Sequence, residues 1–218
     1  MDPSQSNIGR RLRDLRLLIY LKWVGWVSVA FFGVYPAMNW ITSLRSSPFH
    51  LYLQSELAIP FVPELIWAYV SMYILFLLPL IFVPAAHMPT LGKQLVVGIL
   101  VSGVLFLLFP AELGFARIVP DGAAGGLYAG IFSIDQPYNL VPSLHVVFSA
   151  AIALACADFA RPALRALLFA WLGIISASTV LVHQHHLIDV ATAFMLVWWL
   201  RRRYKVTLCT DASSSPAC

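Results

Sequence analysis

Leu95-Val-Val-Gly-Ile-Leu-Val-Ser-Gly-Val-Leu-Phe-Leu-Leu108 is a run of apolar and small residues without a single charged side chain. It belongs to a segment, residues 94–112, that is long enough to cross the hydrocarbon core of a bilayer, for which a helix needs about 20 residues. Backbone polar groups in hydrocarbon have no water to bond, so such a segment must be helical. The run therefore predicts a transmembrane helix.

Similar apolar segments lie on both sides of this run. They are residues 17–35, 64–84, 143–158, 164–182 and 187–200. The chain is 60% hydrophobic and 11% charged, whereas soluble domains carry roughly 25% charged residues. We therefore predict an all-α membrane protein, a bundle of about six transmembrane helices. It forms a single domain over residues 1–206, and a disordered cytoplasmic tail follows at 207–218.

The basic residues indicate the orientation of these helices. If the N-terminus is cytoplasmic, twelve of the 14 Lys and Arg residues fall on the cytoplasmic side, and only Arg45 and Arg117 fall outside. The twelve are Arg10, Arg11, Arg13, Arg16, Lys22, Lys93, Arg161, Arg165, Arg201, Arg202, Arg203 and Lys205. Under the positive-inside rule, this asymmetry predicts that both termini are cytoplasmic. It also explains the net charge of +4 without a nucleic-acid partner.

With this orientation, the unusual polar residues gather on or beside the non-cytoplasmic segments 36–63, 113–142 and 183–186. They are Glu56, Glu64, Glu112, Arg117, Asp121, Asp135, His145, His185 and Asp189. Ionisable residues at membrane depth are costly, which makes them functional candidates. Residues 41–62 could form an interfacial amphipathic segment or an ordinary loop, and the sequence leaves both open.

One candidate stretch is Val141-Pro-Ser-Leu-His145, at the start of the fourth predicted span. Pro142 suits the first turn of a helix, where its missing N–H costs nothing. That would place Ser143 and nearby backbone N–H groups at a helix N-terminus, which attracts anions. His145 would then point toward a bound anion, although it could equally be a hydrogen-bonded core histidine.

A second stretch, Ser178-Thr-Val-Leu-Val-His-Gln-His-His-Leu-Ile-Asp189, lies between the fifth and sixth spans. His185 and Asp189 are four residues apart and share one face of a helical turn, where a carboxylate can orient an imidazole. An oriented imidazole can act as a nucleophile, and a second histidine such as His145 can protonate the leaving oxygen. With Arg117 to hold phosphate oxygens, these groups suffice for metal-independent phosphoryl transfer.

These two stretches resemble motifs of the type 2 phosphatidic acid phosphatase superfamily of lipid phosphatases and phosphotransferases. Its second and third motifs read Pro-Ser-Gly-His and Ser-Arg-x5-His-x3-Asp. The chain has Pro142-Ser143-Leu144-His145, and then Ser178-Thr179, five residues, His185, three residues and Asp189. The resemblance covers roughly residues 100–200 and implies a six-helix bundle whose site opens on the outer face.

The resemblance also implies a role for each residue. His185 would be the nucleophile that forms a phosphohistidine, Asp189 its partner, and His145 the acid for the leaving group. The residues implied to contact the substrate phosphate are Arg117, Ser143, Ser178 and Thr179.

The chain departs from the family pattern at three points. Thr179 stands where the phosphatases carry a phosphate-binding arginine, and Leu144 replaces a glycine. The first family motif, Lys-x6-Arg-Pro, is missing, and its nearest counterpart is Arg117, three residues before Pro120. In these features the chain is more similar to the inositol phosphorylceramide and sphingomyelin synthase branch, whose members pass a phosphohead group to an acceptor alcohol.

Together these observations predict a multi-pass protein of the bacterial inner membrane with its site facing the periplasm. The expected activity is hydrolysis of a lipid phosphate or diphosphate, without a cofactor or a metal. One alternative is a phosphotransferase that moves a phosphohead group to ceramide, diacylglycerol or another alcohol. Another is a non-catalytic lipid-binding or transport bundle. A third is a metal site, with ligands drawn from His145, His183, His185, His186 and Asp189.

Overall fold

The computed structural model describes residues 3–45 and 47–205, with side chains from Arg13 onward. Within these ranges the chain is helical and contains no strand. The helices are α1 (Pro3–Ser43), α2 (Ile66–Val70), α3 (Met72–Leu75), α4 (Leu78–Phe82), α5 (Met88–Leu108), α6 (Gly125–Ile134), α7 (Leu144–Ala157), α8 (Pro162–Leu181) and α9 (Leu187–Arg203). The tail predicted at 207–218 lies outside the described residues.

Three helices in the described part of the chain are long and apolar enough to cross a membrane. They are the Arg13–Ser43 portion of α1, α5 and α8. Large apolar side chains stay exposed along them, such as Leu18 and Val29 on α1 and Leu100 on α5. Exposed apolar surface of this extent is typical of contact with lipid. The predicted class, an all-helical membrane protein, is thereby confirmed.

The segment predicted as one span at residues 64–84 is a chain of three short helices, α2, α3 and α4. The sequence explains the last break. Pro79 lacks an N–H, and its ring would clash with the carbonyl four residues earlier, that of Leu75, where α3 ends. At the first break, the hydroxyl of Ser71 accepts a 2.9 Å hydrogen bond from the indole of Trp171. This bond fastens the broken segment to α8.

Helix α7 is the centre of the bundle. Twelve of its 14 residues are buried, and it packs against α3, α4, α5, α8 and α9. Many of these residues are small, including Ala150, Ala151, Ala153 and Ala155, and small residues allow helices to approach closely in a membrane. The N-terminal end of α7, which carries His145, is therefore enclosed by other helices.

Helix α1 lies along α5, and two glycines of α5 permit the close approach. A Cβ atom at Gly92 would collide with the ring of Trp23, and one at Gly103 would collide with Val34. The described residues between α1 and α2 form an irregular connection with two 3-10 turns, at Gln54–Ala58 and Pro63–Leu65. Residues 41–62 therefore begin in α1 and continue as a loop.

Candidate active site

His185 lies in the loop 182–186 that joins α8 to α9. The N–H groups of Gln184 and His185 both donate to the carbonyl of Thr179, at 3.1 and 3.0 Å, which anchors the loop to the last turn of α8. The His185 ring is buried, and its Nδ1 lies 3.1 Å from Oδ2 of Asp189. Because a carboxylate accepts hydrogen bonds, Nδ1 carries the proton and Nε2 remains available to a ligand.

Asp189 is held from three directions in the first turn of α9. Its Oδ2 also accepts a 2.8 Å bond from the N–H of His186. Its main-chain carbonyl accepts a 3.1 Å bond from the N–H of Ser143, immediately before α7. The side chain is almost fully buried. The carboxylate that orients His185 is thus fixed, and it links the start of α9 to the start of α7.

His145 lies in the first turn of α7, and its ring stacks on that of Tyr69, with centroids 3.8 Å apart and planes at 18°. Its Nε2 is buried and has no hydrogen-bond partner among the described residues. Buried polar atoms are nearly always paired, so such an atom marks a place where a ligand or water can bind. The alternative of a hydrogen-bonded core histidine thus finds no support at this nitrogen.

His145 and His185 line the same cavity, whose volume is about 1000 Å³. This is at the upper end of the range for small-molecule sites, roughly 300–1000 Å³. Around the two histidines the wall is polar, with Tyr35, Asp135 and Asn139. Elsewhere the wall is mostly aliphatic and aromatic. The cavity therefore suits a molecule with one polar end and a large apolar part.

Asp135 lies beside the two histidines and belongs to the site, although the sequence placed it only among the polar residues of the outer face and gave it no role. Its Oδ1 accepts a 2.7 Å hydrogen bond from the hydroxyl of Tyr35. Burial raises the pKa of Asp135, and the bond from Tyr35 opposes that rise. Its partner is a hundred residues away in sequence, so only the tertiary fold reveals the pair.

Arg117 is hydrogen-bonded to the main chain of Asp135 and lies outside the cavity wall. Its Nη1 donates to the main-chain carbonyl of Asp135 at 2.7 Å, and its guanidinium lies 4.7 Å from the centre of the Phe132 ring. Nε has no hydrogen-bond partner in the part of the chain that the structure describes. Arg117 is not part of the cavity wall. It is therefore near the polar end, and its contact with a phosphate stays a prediction.

Ser143 is the N-cap of α7, and its Oγ lies 3.5 Å from the N–H of Val146, which donates to it. Pro142 comes before this cap, so the expectation that it occupies the first helical turn is wrong. The reason is that Ser143 supplies a capping oxygen, which the first N–H groups of a helix require. Ser143 itself is fully buried and does not line the cavity.

Ser178 and Thr179 are likewise fully buried and absent from the cavity wall. Their hydroxyls donate to the carbonyls three residues earlier in α8, at 2.7 and 2.8 Å. What Thr179 contributes to the site is its own carbonyl, which holds the His185 loop. The structure does not bring Ser143, Ser178 or Thr179 into the cavity, and their predicted phosphate contacts stay untested.

The other histidines of the second stretch bond to different groups. Nδ1 of His186 lies 3.2 Å from Oε2 of Glu56, and its Nε2 accepts a 3.3 Å bond from the N–H of Gly114. These partners define a neutral ring with its proton on Nδ1. His183 bonds the carbonyl of Ile59 through Nε2, at 3.0 Å. Within the described residues, no three His, Cys, Asp or Glu side chains are placed to hold one metal ion.

Glu56 is the second acidic residue to which the sequence gave no specific role beyond its place among the polar residues of the outer face. Besides His186, it accepts the N–H groups of Leu187 at 2.9 Å and Leu53 at 3.0 Å. Burial favours its neutral form, but these N–H groups and His186 outweigh that effect and lower the pKa of Glu56. Its carboxylate thus caps α9 and ties the loop before α2 to the His185 loop. The sequence did hold a signal for this role, because Glu56 is a glutamate within the largely apolar segment 41–62.

Four rings form a continuous stack over this loop. Tyr52 stacks on His186 with centroids 4.4 Å apart, His186 on Phe115 at 4.5 Å, and Phe115 on His183 at 4.0 Å. All three pairs are within 14° of parallel. The stack and Glu56 hold the histidines on either side of His185, so His185 alone of the three faces the cavity.

No family model matches the chain, and no curated protein matches it. The resemblance to the lipid phosphatase superfamily therefore rests on the motifs themselves and stays a prediction.

Proposed function

We propose that the chain is a membrane-embedded lipid phosphate phosphatase that acts through a phosphohistidine on His185. One observation carries the proposal. Two histidines line one cavity, of which one is oriented by a buried carboxylate and the other has an unpaired Nε2. An oriented nucleophile beside a second proton-transfer group is the arrangement that covalent catalysis requires.

In the first step, Nε2 of His185 attacks phosphorus and the bond from phosphorus to the lipid oxygen breaks. His145, protonated when an anionic phosphate lies beside it, gives its proton to the leaving oxygen and becomes neutral. Asp189 stabilises the positive charge that His185 acquires. In the second step, a water oxygen attacks phosphorus, its proton passes to His145, and the P–N bond breaks. Inorganic phosphate leaves and both rings return to their starting state.

The proposal includes six membrane spans, formed by α1, the broken segment α2–α4, α5, α7, α8 and α9, with both termini in the cytoplasm. The position of the basic residues supports it. Arg201, Arg202 and Arg203 are at the C-terminal end of α9, and the site is at its N-terminal end. Under the positive-inside rule the arginines are cytoplasmic, so the site is on the other face. A reporter fused after Lys205 should behave as cytoplasmic, and one inserted in the 122–126 loop as external. The opposite pattern would place the site on the cytoplasmic side.

A phosphotransferase is the second candidate, and the composition of the cavity wall favours it. No lysine or arginine lines the cavity in the described part of the chain. A monoanionic phosphodiester needs less positive charge than a dianionic terminal phosphate. An acceptor such as ceramide or diacylglycerol would then replace water in the second step, with the same residues in the same roles.

The deciding experiment uses the purified protein in lipid nanodiscs. It is incubated with phosphatidic acid, with a polyprenyl diphosphate, and with a phosphodiester lipid plus ceramide or diacylglycerol. Release of inorganic phosphate from the first two supports the phosphatase. Acceptor-dependent formation of a new phospholipid, without free phosphate, establishes the transferase. Absence of turnover in every arm would favour a non-catalytic lipid-binding or transport bundle.

Two further measurements test the mechanism. Phosphorus-labelled protein should keep its label in alkali and lose it in acid, as a phosphohistidine does. Activity should also survive exhaustive chelation, because His185, Asp189 and His145 can supply the nucleophile, its orienting carboxylate and the acid. Loss of activity on chelation, with recovery on adding zinc or iron, would establish a metal site instead.

A further inference from the structure

Three side chains at the polar end of the cavity share one arrangement, in which one part is held and another is available to a ligand. In His185 the held atom is Nδ1, which bonds Asp189, and the available atom is Nε2. The ring of His145 is held by its stack on Tyr69, and its Nε2 has no partner among the described residues. Asp135 is the third side chain. The proposed function uses both histidines and gives Asp135 no task.

The main chain and one carboxylate oxygen of Asp135 are fixed. Its N–H donates to the carbonyl of Ile131 at 2.9 Å, which ends α6, and its own carbonyl accepts the 2.7 Å bond from Arg117. Its Oδ1 accepts the hydroxyl of Tyr35 at 2.7 Å. Within the described ranges, the hydrogen bonds to this side chain end on Oδ1. Oδ2 is therefore left as an acceptor for a molecule in the cavity.

A carboxylate in this position restricts what can lie against it. Arg117 bonds the main chain of Asp135 and not its carboxylate. Burial raises the pKa of Asp135, and the bond from Tyr35 and the charge of His185 oppose that rise. The carboxylate is thus close enough to His185 to interact with it. Because a carboxylate and a phosphate are both anionic acceptors, a molecule with hydrogens to donate must separate Asp135 from a phosphate held at His185.

Water meets this requirement better than an alcohol does. In the second step of the proposed reaction, the attacking oxygen gives one proton to His145 while its lone pair points at phosphorus. A water molecule has a second hydrogen, which it can donate to Oδ2 of Asp135. An alcohol has one hydrogen on its oxygen, so its carbon would face Oδ2 and leave that acceptor without a partner, which is costly.

We propose that Asp135 is a further catalytic residue, which binds the attacking water through Oδ2 and makes the site favour hydrolysis over transfer to an alcohol. This inference rests on the proposed function for the phosphohistidine at His185. The water oxygen forms a bond to phosphorus, and the bond from phosphorus to Nε2 of His185 breaks, with its electron pair returning to the ring. One water proton passes to Nε2 of His145. The other stays on the oxygen, bonded to Asp135, and leaves in the hydrogen phosphate product.

Methanol tests this inference, because it differs from water by a methyl group in place of one hydrogen. The protein in nanodiscs is given an aryl phosphate in dilute methanol, and the ratio of methyl phosphate to inorganic phosphate is measured. Both products come from the same phosphohistidine, so their ratio depends only on the second step. A value for the unaltered protein that strongly favours methyl phosphate would overturn the inference.

Asp135→Asn should raise this ratio by about tenfold or more, the effect of one lost hydrogen bond to a charged group. Because the hydroxyl of Tyr35 donates to Oδ1, it would select the amide oxygen of the variant. The amide NH₂ then replaces Oδ2 and cannot accept a hydrogen from water. Hydrolysis should slow, whereas transfer to methanol should change little.

Two other variants complete the test. Tyr35→Phe keeps the carboxylate but removes the bond that orients it, so it should raise the ratio by a smaller factor, and it serves if Asp135→Asn fails to fold. Asp121→Asn is the matched control, because Asp121 is exposed and does not line the cavity. An unchanged ratio in Asp135→Asn and Tyr35→Phe, with His185 still labelled, would overturn the inference and retain the phosphatase.

Oxygen exchange examines the water step without a lipid. Inorganic phosphate is incubated with the protein in water enriched in a heavy oxygen isotope, and exchange requires the second step to run backward and forward. Asp135→Asn should slow this exchange by about tenfold, and Asp121→Asn should not. Exchange at the unaltered rate in Asp135→Asn would overturn the inference. Absence of both labelling and exchange in the unaltered protein would contradict the proposed function itself, and the inference with it.

Discussion

The region from Ser143 to Arg203, with helices α7, α8 and α9, contrasts with the wall formed by α1 to α4. In the first region His185 and Asp189 are hydrogen-bonded to each other and to nearby main chain, and the buried Nε2 of His145 has no partner among the described residues. In the second, the cavity lining is mostly aromatic and aliphatic, and parts of it are exposed. Rigid polar networks position reacting atoms, whereas apolar surface binds without directional bonds. Under the proposed function, the first region carries out the chemistry and the second binds the apolar part of the lipid.

The largest expected effect comes from His185 in the first region. His185→Ala should reduce turnover to the uncatalysed level, because no other nucleophile occupies its place. Phosphate release and covalent labelling are both measured on folded protein in nanodiscs. His50→Ala is the control, since His50 is exposed, pairs with Glu112 at 2.8 Å and does not line the cavity. Residual turnover in His185→Ala would mean that this ring is not the nucleophile.

His145 should have the next largest effect. General acid assistance is typically worth about 10²–10⁴-fold, and its value falls as the leaving group improves. His145→Ala should therefore impair an alkyl phosphate by about this factor and an aryl phosphate much less. The comparison of kcat on the two substrates tests this. Equal losses on both would contradict an acid role for His145.

Asp189→Asn should lower kcat by about 10²-fold, the loss that a small misplacement of a reacting group can cause. The amide can present an N–H where the carboxylate accepts one, so the His185 ring would lose its orientation. Binding to the apolar wall is unaffected, so KM should stay nearly constant. A rise in KM of the same size as the loss in kcat would show that Asp189 instead supports the binding cavity.

Phe31→Ala tests the second region. Phe31 lines the cavity and stacks on Tyr35, with centroids 5.2 Å apart and planes at 11°. Loss of its ring removes binding surface that is equally useful in the ground state and the transition state, so KM should rise by up to about tenfold with kcat unchanged. A fall in kcat without a rise in KM would contradict the assignment of substrate binding to the second region. Phe32→Leu is a milder comparison on the exposed rim.

The sequence predicted the part of this arrangement that is local. The spacing of four residues between His185 and Asp189 predicts a contact across one turn, and the structure has that contact at 3.1 Å. Apolar segments predict helices, and five of the six predicted segments are continuous helices close to the expected positions. The second is broken at Ser71 and before Pro79.

The remainder depends on contacts between residues far apart in sequence. Glu56 meets His186 across 130 positions, and Tyr35 meets Asp135 across 100. No periodicity or spacing indicates which carboxylate will find which ring. Ser178 and Thr179 show the reverse case, in which a motif position predicts a ligand contact but the hydroxyl bonds its own helix. Local hydrogen bonds of this kind compete for serine and threonine in any helix.

The smallest expected effect concerns Glu56, which joins the two regions. Its pKa is lowered from 4.5 in the folded state. The stability that it contributes is therefore present above about pH 4.5 and is lost as the pH falls through the lower, folded value. Glu56→Gln should flatten the decline of the thermal midpoint below about pH 4.5 by a few degrees. Glu64→Gln, at an exposed carboxylate, should retain the full decline.

The contact of Trp23 with Gly92 has a consequence for how such a protein can change over generations. Any side chain at position 92 would occupy the space of the indole ring, so a mutation there is tolerated only after position 23 has become smaller. A smaller residue at position 23, in turn, enlarges the cavity, because Trp23 and Gly92 both line it. The two positions should therefore be inherited as a pair, so that related chains with a side chain at position 92 also carry a smaller residue at position 23.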